Sequence, residues 1–405
     1  MSSNNIFFKL CSALLLFSAS LQIPAQDLSA FLRKVAANNP EIIAYGRLLE
    51  ARRIEARTGN APPGPEVSFG YMPGDASTAG VKKIWSVNQR FDFPSKYLLQ
   101  KKINKNSIVL AEQEYELGKL LILLDAKVTV YDYLFTKRYY DVLAKRCDDF
   151  ARLLDVWKKK LDEGEATVIE YNRIALELSS VNLEKNKTAA EVSALKKKLF
   201  YMSGGTGVIP AVIEYPGVIS AGPDELAEQK AAVHPSFLIP RTEYLITAGE
   251  LNLSKTGVLP GLSLGISSEI IPGERFTGPV AGLSIPLWAN ANRVKSASAM
   301  VTKAEAKMNA EVTRLKTDVL KEYGKMMALK SGMEELREII RTNGGVENLN
   351  KALNAGEITV ADYFSFLGAV YDAEERLIET EREYCKSAAI LTDHELLNIL
   401  ADQSK

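Results

Sequence analysis

Leu161-Asp162-Glu163-Gly164-Glu165-Ala166-Thr167-Val168-Ile169-Glu170-Tyr171 recurs as Leu353-Asn354-Ala355-Gly356-Glu357-Ile358-Thr359-Val360-Ala361-Asp362-Tyr363, an offset of 192 residues. Six of the eleven positions are identical, which marks an internal repeat rather than a chance match. Each copy stands between two long helical patterns. The glycine supplies the left-handed residue that ends one helix, and Thr167 and Thr359 are placed to cap the next. Each copy therefore reads as the turn of a helical hairpin.

The repeat extends upstream. Asn39-Pro40 answers to His234-Pro235, and Pro65-Glu66-Val67-Ser68-Phe69-Gly70 to Pro260-Gly261-Leu262-Ser263-Leu264-Gly265, both at an offset of 195. The chain reads as two copies of one unit: leading helices, a strand pair, and a long helical hairpin. The first copy takes residues 26–202, with its β-hairpin at about 65–93 and its helical hairpin at 95–202. A Gly/Pro-rich linker covers 203–222. The second copy takes 223–405, with a β-hairpin at about 260–288 and a helical hairpin at 292–402.

The helices follow from periodicity. Leu28, Phe31, Leu32 and Val35 make one apolar stripe. Pro40 opens a second helix that runs to about Thr58. From Lys96 to Lys160 the helical pattern persists for about 65 residues, about 98 Å at 1.5 Å per residue. Its seam, Leu117, Leu120, Leu124, Val128, Tyr131 and Phe135, has coiled-coil spacing and continues through Leu154, Trp157 and Leu161. A return helix runs from Thr167 to about Tyr201. In the second copy, Arg293 to about Leu353 is interrupted at Gly344-Gly345, and Thr359 to about Leu400 returns.

Between the leading helices and the hairpins the period changes to two. Val67, Phe69 and Tyr71 alternate with Ser68 and Gly70; Trp85, Val87, Gln89, Phe91 and Phe93 alternate with Ser86, Asn88, Arg90 and Asp92. In the second copy Leu262, Leu264 and Ile266 alternate with Ser263, Gly265 and Ser267. A loop starts at Pro272-Gly273-Glu274, and Leu283, Ile285 and Leu287 then alternate with Gly282, Ser284 and Pro286. Two readings fit this alternation: a half-buried hairpin in water, or transmembrane barrel strands with apolar outsides and polar insides. In the second, Phe69, Trp85, Val87, Leu264 and Ile285 face lipid. Four strands then leave two open edges, which lipid does not tolerate. Four are too few to enclose a lumen, so several chains must each contribute four; three chains give twelve. The fold class on this reading is mainly α with a small β part.

The 405-residue chain has a formal net charge of zero, which argues against nucleic-acid binding. Lys9, the apolar run Leu10–Phe17, Ser18-Ala19-Ser20 and Pro24-Ala25 read as a secretory signal peptide, residues 1–25, cut after Ala25. A buried first helix is the alternative. Cys11 lies too early for a lipid anchor. Cys147 and Cys385 then remain, either as isolated thiols or as a disulfide. Past the leader no stretch is long and apolar enough for a transmembrane helix. His234 and His394 have no metal-site spacing with cysteines or carboxylates, and Gly204-Gly205-Thr206-Gly207 lacks the Lys-Ser/Thr of a phosphate loop. No catalytic, metal or cofactor site is expected.

In order, repetition and spacing, the chain resembles the TolC-like outer-membrane factor family over nearly its whole length after the leader. The likeness rests on Asn39-Pro40-Glu41-Ile42, the Pro65–Tyr71 strand, the paired long hairpins and the two Gly-Glu-x-Thr-Val turns. The proline-rich first strand looks most like the metal-efflux branch, although no His, Met or Cys cluster supports metal specificity. The resemblance implies a homotrimer with a twelve-stranded outer-membrane barrel on an α-helical tunnel (an α-barrel) in the periplasm of a Gram-negative bacterium. It implies a passive exit duct, docked to a periplasmic adaptor and fed by an inner-membrane pump. On that likeness Gly164, Glu165, Thr167, Gly356, Glu357 and Thr359 face the adaptor. Asp362 matches the acidic constriction, where three copies would form a cation-favouring ring; its other reading is a solvated acid at a helix start. Ser365 stands where a second acidic ring can occur, and Ile358 where some members carry an arginine. A soluble periplasmic coiled-coil scaffold or adaptor is the rival to the duct.

Overall fold

The computed structural model describes residues 28–58, 60–75, 80–206, 208–217, 219–286, 288, 292–342 and 345–397. The expected leader with Cys11, together with Leu287, Gly207 and Gly344, lies outside them. In chain order the elements are α1 (Leu28–Asn38), α2 (Pro40–Glu55), β1 (Glu66–Pro73), β2 (Val81–Phe91), α3 (Pro94–Asp162), α4 (Val168–Met202), α5 (Pro223–Val233), α6 (Pro235–Thr256), β3 (Gly261–Ile271), β4 (Glu274–Ser284), α7 (Arg293–Thr342), α8 (Gly345–Asn354) and α9 (Val360–Leu391). A 3-10 turn, Asp393–Leu397, follows. The fold is mainly helical with one small sheet, as expected.

The chain divides into two compact units, and both repeats contribute to each. The first holds α1, α3 from Ala126 onward, α4, the linker to Pro216, the end of α7 from Met333, α8, and α9 to Cys385. Its α1 buries Leu28, Phe31, Leu32 and Val35, the one-face stripe read from spacing. Each such side chain contributes about 1.5–3 kcal/mol of burial. Cys147 and Cys385 are separate buried thiols here. Burial, then the nearby Glu381 charge, push the Cys385 thiol up to about 12.

The second unit holds α2, the sheet, α5, α6, the first stretch of α3, most of α7 and the chain end. Its strands follow the order β1-β2-β3-β4, each pair antiparallel. The β2–β3 pairing joins the two repeats, and β1 and β4 are open edges. The first hairpin is slightly shorter than expected: Phe93 lies past β2, because Pro94 begins α3. The second differs more. Pro272-Gly273 is a complete two-residue turn, closed by the Ile271–Glu274 pair. Gly273, at φ 89°, adopts the left-handed conformation such a turn requires. Strand β4 therefore starts at Glu274 and ends at Ser284, leaving Ile285 one residue beyond it.

The chain end also departs from expectation. Helix α9 stops at Leu391 instead of running to about Leu400, so His394 sits in the 3-10 turn. The turn delivers Asp393 to a buried cluster in the second unit. Lys230 Nζ lies 2.8 Å from Asp393 Oδ1, and His234 Nε2 lies 3.2 Å from Oδ2. His234 is also the N-cap of α6, its Nδ1 accepting from the Ser236 N–H. With Nδ1 an acceptor, Nε2 carries the proton and donates to Asp393. Burial alone would raise the Asp393 pKa, but the His234 hydrogen bond and the Lys230 charge outweigh it and hold the carboxyl below its ordinary range.

Candidate functional site

The two repeated turns lie in the first unit and are built alike. Gly164 (φ 77°) and Gly356 (φ 73°) each take the left-handed position past a helix end. The Glu165 N–H donates to the Lys160 carbonyl at 2.8 Å, and the Gly164 N–H to Leu161 at 3.1 Å. In the second copy the Glu357 N–H donates to Ala352 at 3.0 Å and the Gly356 N–H to Leu353 at 3.1 Å. These crossed bonds are the Schellman motif, which satisfies carbonyls otherwise left bare.

Each turn then caps the outgoing helix. Thr167 Oγ1 accepts from the Glu170 N–H at 3.2 Å while the Thr167 N–H donates to Glu170 Oε2 at 2.8 Å, a capping box. Hydrogen bonds from the Thr167 backbone, then its hydroxyl, hold the Glu170 pKa low. At the repeat position Thr359 Oγ1 accepts from the Asp362 N–H at 3.1 Å and donates to Asp362 Oδ2 at 2.6 Å. Asp362 thus occupies the place of Glu170, as an exposed cap acid. Gly164, Glu165, Thr167, Gly356, Glu357, Thr359 and Asp362 are all exposed.

Beneath the turns is a shared aromatic core. Phe150, Trp157, Ile174, Leu353, Tyr363 and Phe364 are among its buried residues, with Ala166, Ile358 and Val360 of the turns packed against them. Phe150 stacks on Phe364 with centroids 5.9 Å apart and meets Tyr371 edge-on at 6.3 Å. Tyr363 donates to Asn350 Oδ1 at 2.8 Å. The structure thus brings the two turns, 192 residues apart, onto one core. Trp157 and the repeated Tyr363 were visible in the seam and the repeat; Phe150 and Tyr371 carried no local signal.

Farther along the first unit, sequence reasoning missed a buried charge hub. Glu381, 2% exposed, takes Arg138 Nη1 at 2.5 Å on Oε2 and Arg337 Nη2 at 2.6 Å on Oε1. The Tyr215 hydroxyl donates to Oε2 at 3.0 Å. Three helices and the linker supply these groups. A buried carboxylate needs that many partners to offset its lost hydration, but each group comes from a distant part of the sequence.

In the second unit the register sorts the sheet into two faces. Val67, Val87 and Ile266 lie side by side across three strands; Phe69 is opposite Trp85, and Leu264 lies between Gln89 and Ala281. Phe91, Leu262 and Leu283 continue this face. It is open: Val67 is 72% exposed, Phe69 71% and Leu264 58%. Phe69, Trp85, Val87 and Leu264 are thereby gathered on one face, while Ile285 is exposed beyond the strand end. The opposite face is mostly polar or small, with Ser68 and Ser86 hydroxyls 2.8 Å apart and Arg90 2.9 Å from Glu66, although Met72, Ile84, Phe276 and Val280 also lie on it. An exposed apolar patch marks an interaction surface, whether for another protein, a membrane or a ligand.

Among the described residues no helix is long and apolar enough to cross a membrane, and no group of three or more His, Cys, Asp or Glu could hold a metal ion. No protein-family model matches the chain, and no curated protein matches it. Solved structures do. A membrane protein from Pseudomonas aeruginosa is 13% identical, with TM-score 0.73, over 91% of this chain and 92% of that one. CusC, studied for conformational changes accompanying folding and transmembrane channel formation, is 11% identical, with TM-score 0.72, over 91% of each. The Campylobacter jejuni CmeC outer membrane channel is 13% identical, with TM-score 0.66, over 91% of this chain and 85% of that one. At such identities the likeness is one of fold, and it does not sort this chain into a metal-efflux branch.

Proposed function

We propose, for a chain that has the fold of the TolC-like outer-membrane factors, that it is the passive outer-membrane duct of a tripartite efflux or secretion system. Small molecules or metal ions would enter from an inner-membrane pump through a periplasmic adaptor. The observation that carries this reading is the sheet: one mainly apolar exposed face, one mainly polar or small face, and two unpaired edges. In lipid, exposed apolar residues are stable, but open edges are not. The edges close if β4 of one copy pairs with β1 of the next, and three copies give twelve strands. A soluble scaffold would leave the same face in water.

On this reading the exposed turns, with Gly164, Glu165, Thr167, Gly356, Glu357 and Thr359, present the adaptor-docking end, and Asp362 contributes to a channel constriction. The rigid aromatic core under the turns supports that assignment, since it would hold both in a fixed relation to a docking partner.

The test is the native mass of the protein extracted by detergent from the outer-membrane fraction. A mass near three chains supports the duct. A monomer recovered in the aqueous fraction without detergent sinks it and favours the scaffold.

A further inference from the structure

The apolar face of the sheet does not stop where β2 ends. An open groove of about 600 Å³ carries it onto the start of α3. Phe91, Leu262 and Leu264 wall the groove from the sheet, and Pro94, Tyr97 and Leu98 from the helix side. Asp92 also lines it, but its carboxylate is held by Lys96 at 2.7 Å, and its N–H donates to the Tyr97 hydroxyl at 3.0 Å. Leu98 is 72% exposed.

The next turns of α3 change character. Lys101, Lys102 and Lys105 follow Leu98 by three, four and seven residues, which puts all four on one helix face. Lys102 lies about 6 Å and Lys105 about 10 Å further along the helix than Leu98. The three lysines are exposed, and among the described residues none makes an ion pair. The second repeat does the same at the matching place. Residues 94–111 contain lysines and no acid, and residues 293–304, which open α7, contain Arg293, Lys295 and Lys303 and no acid. A helix start prefers acids, so the helices do not themselves account for this choice. Exposed hydrocarbon followed within two turns by unneutralised cations is the order of a phospholipid leaflet, acyl chain and then phosphate. A lysine stem can lie along the apolar part while its ammonium reaches the headgroup.

We propose that this groove and lysine face hold one anionic glycerophospholipid per chain. An acyl chain lies on Phe91, Leu98 and Leu264, and the phosphate meets Lys101, Lys102 and Lys105. A free anion would answer the lysines and leave the groove in water. An uncharged apolar molecule would fill the groove and leave the lysines unanswered. The proposal rests on the duct reading, which puts the apolar face of the sheet in lipid, and adds to it a fixed lipid where β2 passes into α3. All these groups belong to the second unit.

The test is native mass spectrometry of the purified full-length protein in mild detergent, titrated with dioleoyl phosphatidylglycerol. Matched titrations use dioleoyl phosphatidylcholine, which has the same chains and phosphate without net charge, and inorganic phosphate. The expected result is one saturable phosphatidylglycerol per chain, with phosphatidylcholine about thirtyfold weaker and no displacement by inorganic phosphate. Lys101→Gln with Lys102→Gln should weaken phosphatidylglycerol about thirtyfold, two lysine contacts, and leave phosphatidylcholine unchanged. Leu98→Gln should weaken both lipids alike, by about fivefold. Lys196→Gln with Lys197→Gln removes as much exposed charge from α4 and should change neither. The proposal is overturned if phosphatidylglycerol adducts do not saturate, if phosphatidylcholine binds as tightly, if inorganic phosphate displaces the lipid, or if the α4 pair weakens binding as much as the α3 pair. Any of these in a protein whose native mass is three chains overturns the lipid site and leaves the duct; a monomer recovered without detergent overturns both.

Discussion

Thr167 shows what one side chain does in this fold. Its hydroxyl and backbone both engage Glu170, so the start of α4 is fixed locally. Thr167→Ala should cost about 0.5–2 kcal/mol, read as a lower midpoint in chemical denaturation, with Thr167→Ser largely restoring it. Equal midpoints for all three would show that the turn is held by the aromatic core alone. Asp393 acts at the same scale but through burial. Its folded pKa is depressed, so the stability it contributes is present above the unfolded value, about pH 3.9, and is lost as pH falls through the folded value. Asp393→Asn should destabilise by about 3–5 kcal/mol near pH 7, because Lys230 is left buried without its carboxylate. It should also flatten the acid limb of the stability–pH curve below about pH 4. A variant with an unchanged acid limb would place that limb elsewhere.

The strands carry meaning as elements rather than as residues. Alternation in the sequence was enough to put Phe69, Trp85, Val87 and Leu264 on one face, since side chains on a strand alternate with period two. It did not reveal where β4 began, because Arg275, Thr277, Pro279 and Ala281 are a weak apolar series and their place on that face is set by pairing with β3. The face makes a sharp prediction. Val87→Lys puts a charge on the open apolar side, where a membrane setting costs about 2–4 kcal/mol at mid-depth. Ser86→Lys, on the other side of the same strand, should assemble far better. Comparing the amounts of each variant in the outer-membrane fraction checks this; equal yields would remove the lipid-facing assignment.

At the scale of the whole molecule the repeat is the organising fact, yet the compact units do not coincide with it. Each unit takes segments from both copies, because two copies of a long hairpin bury more apolar surface against each other than either buries alone. A constriction is a property of the assembly at this scale. Asp362→Ala should change the cation preference or conductance of the purified pore if three carboxylates line it; unchanged currents would leave Asp362 as a cap for α9 only. The sequence alone determined the helices, both hairpin turns, their caps and the two faces of the strands. All of these follow from interactions between residues a few positions apart, whose spacing is written in the chain. Only the tertiary structure decided the sheet order, the aromatic core under the turns, the Glu381 hub and the Asp393 cluster. Those join groups scores to hundreds of residues apart, and no local pattern records which distant partner a buried charge or ring will meet.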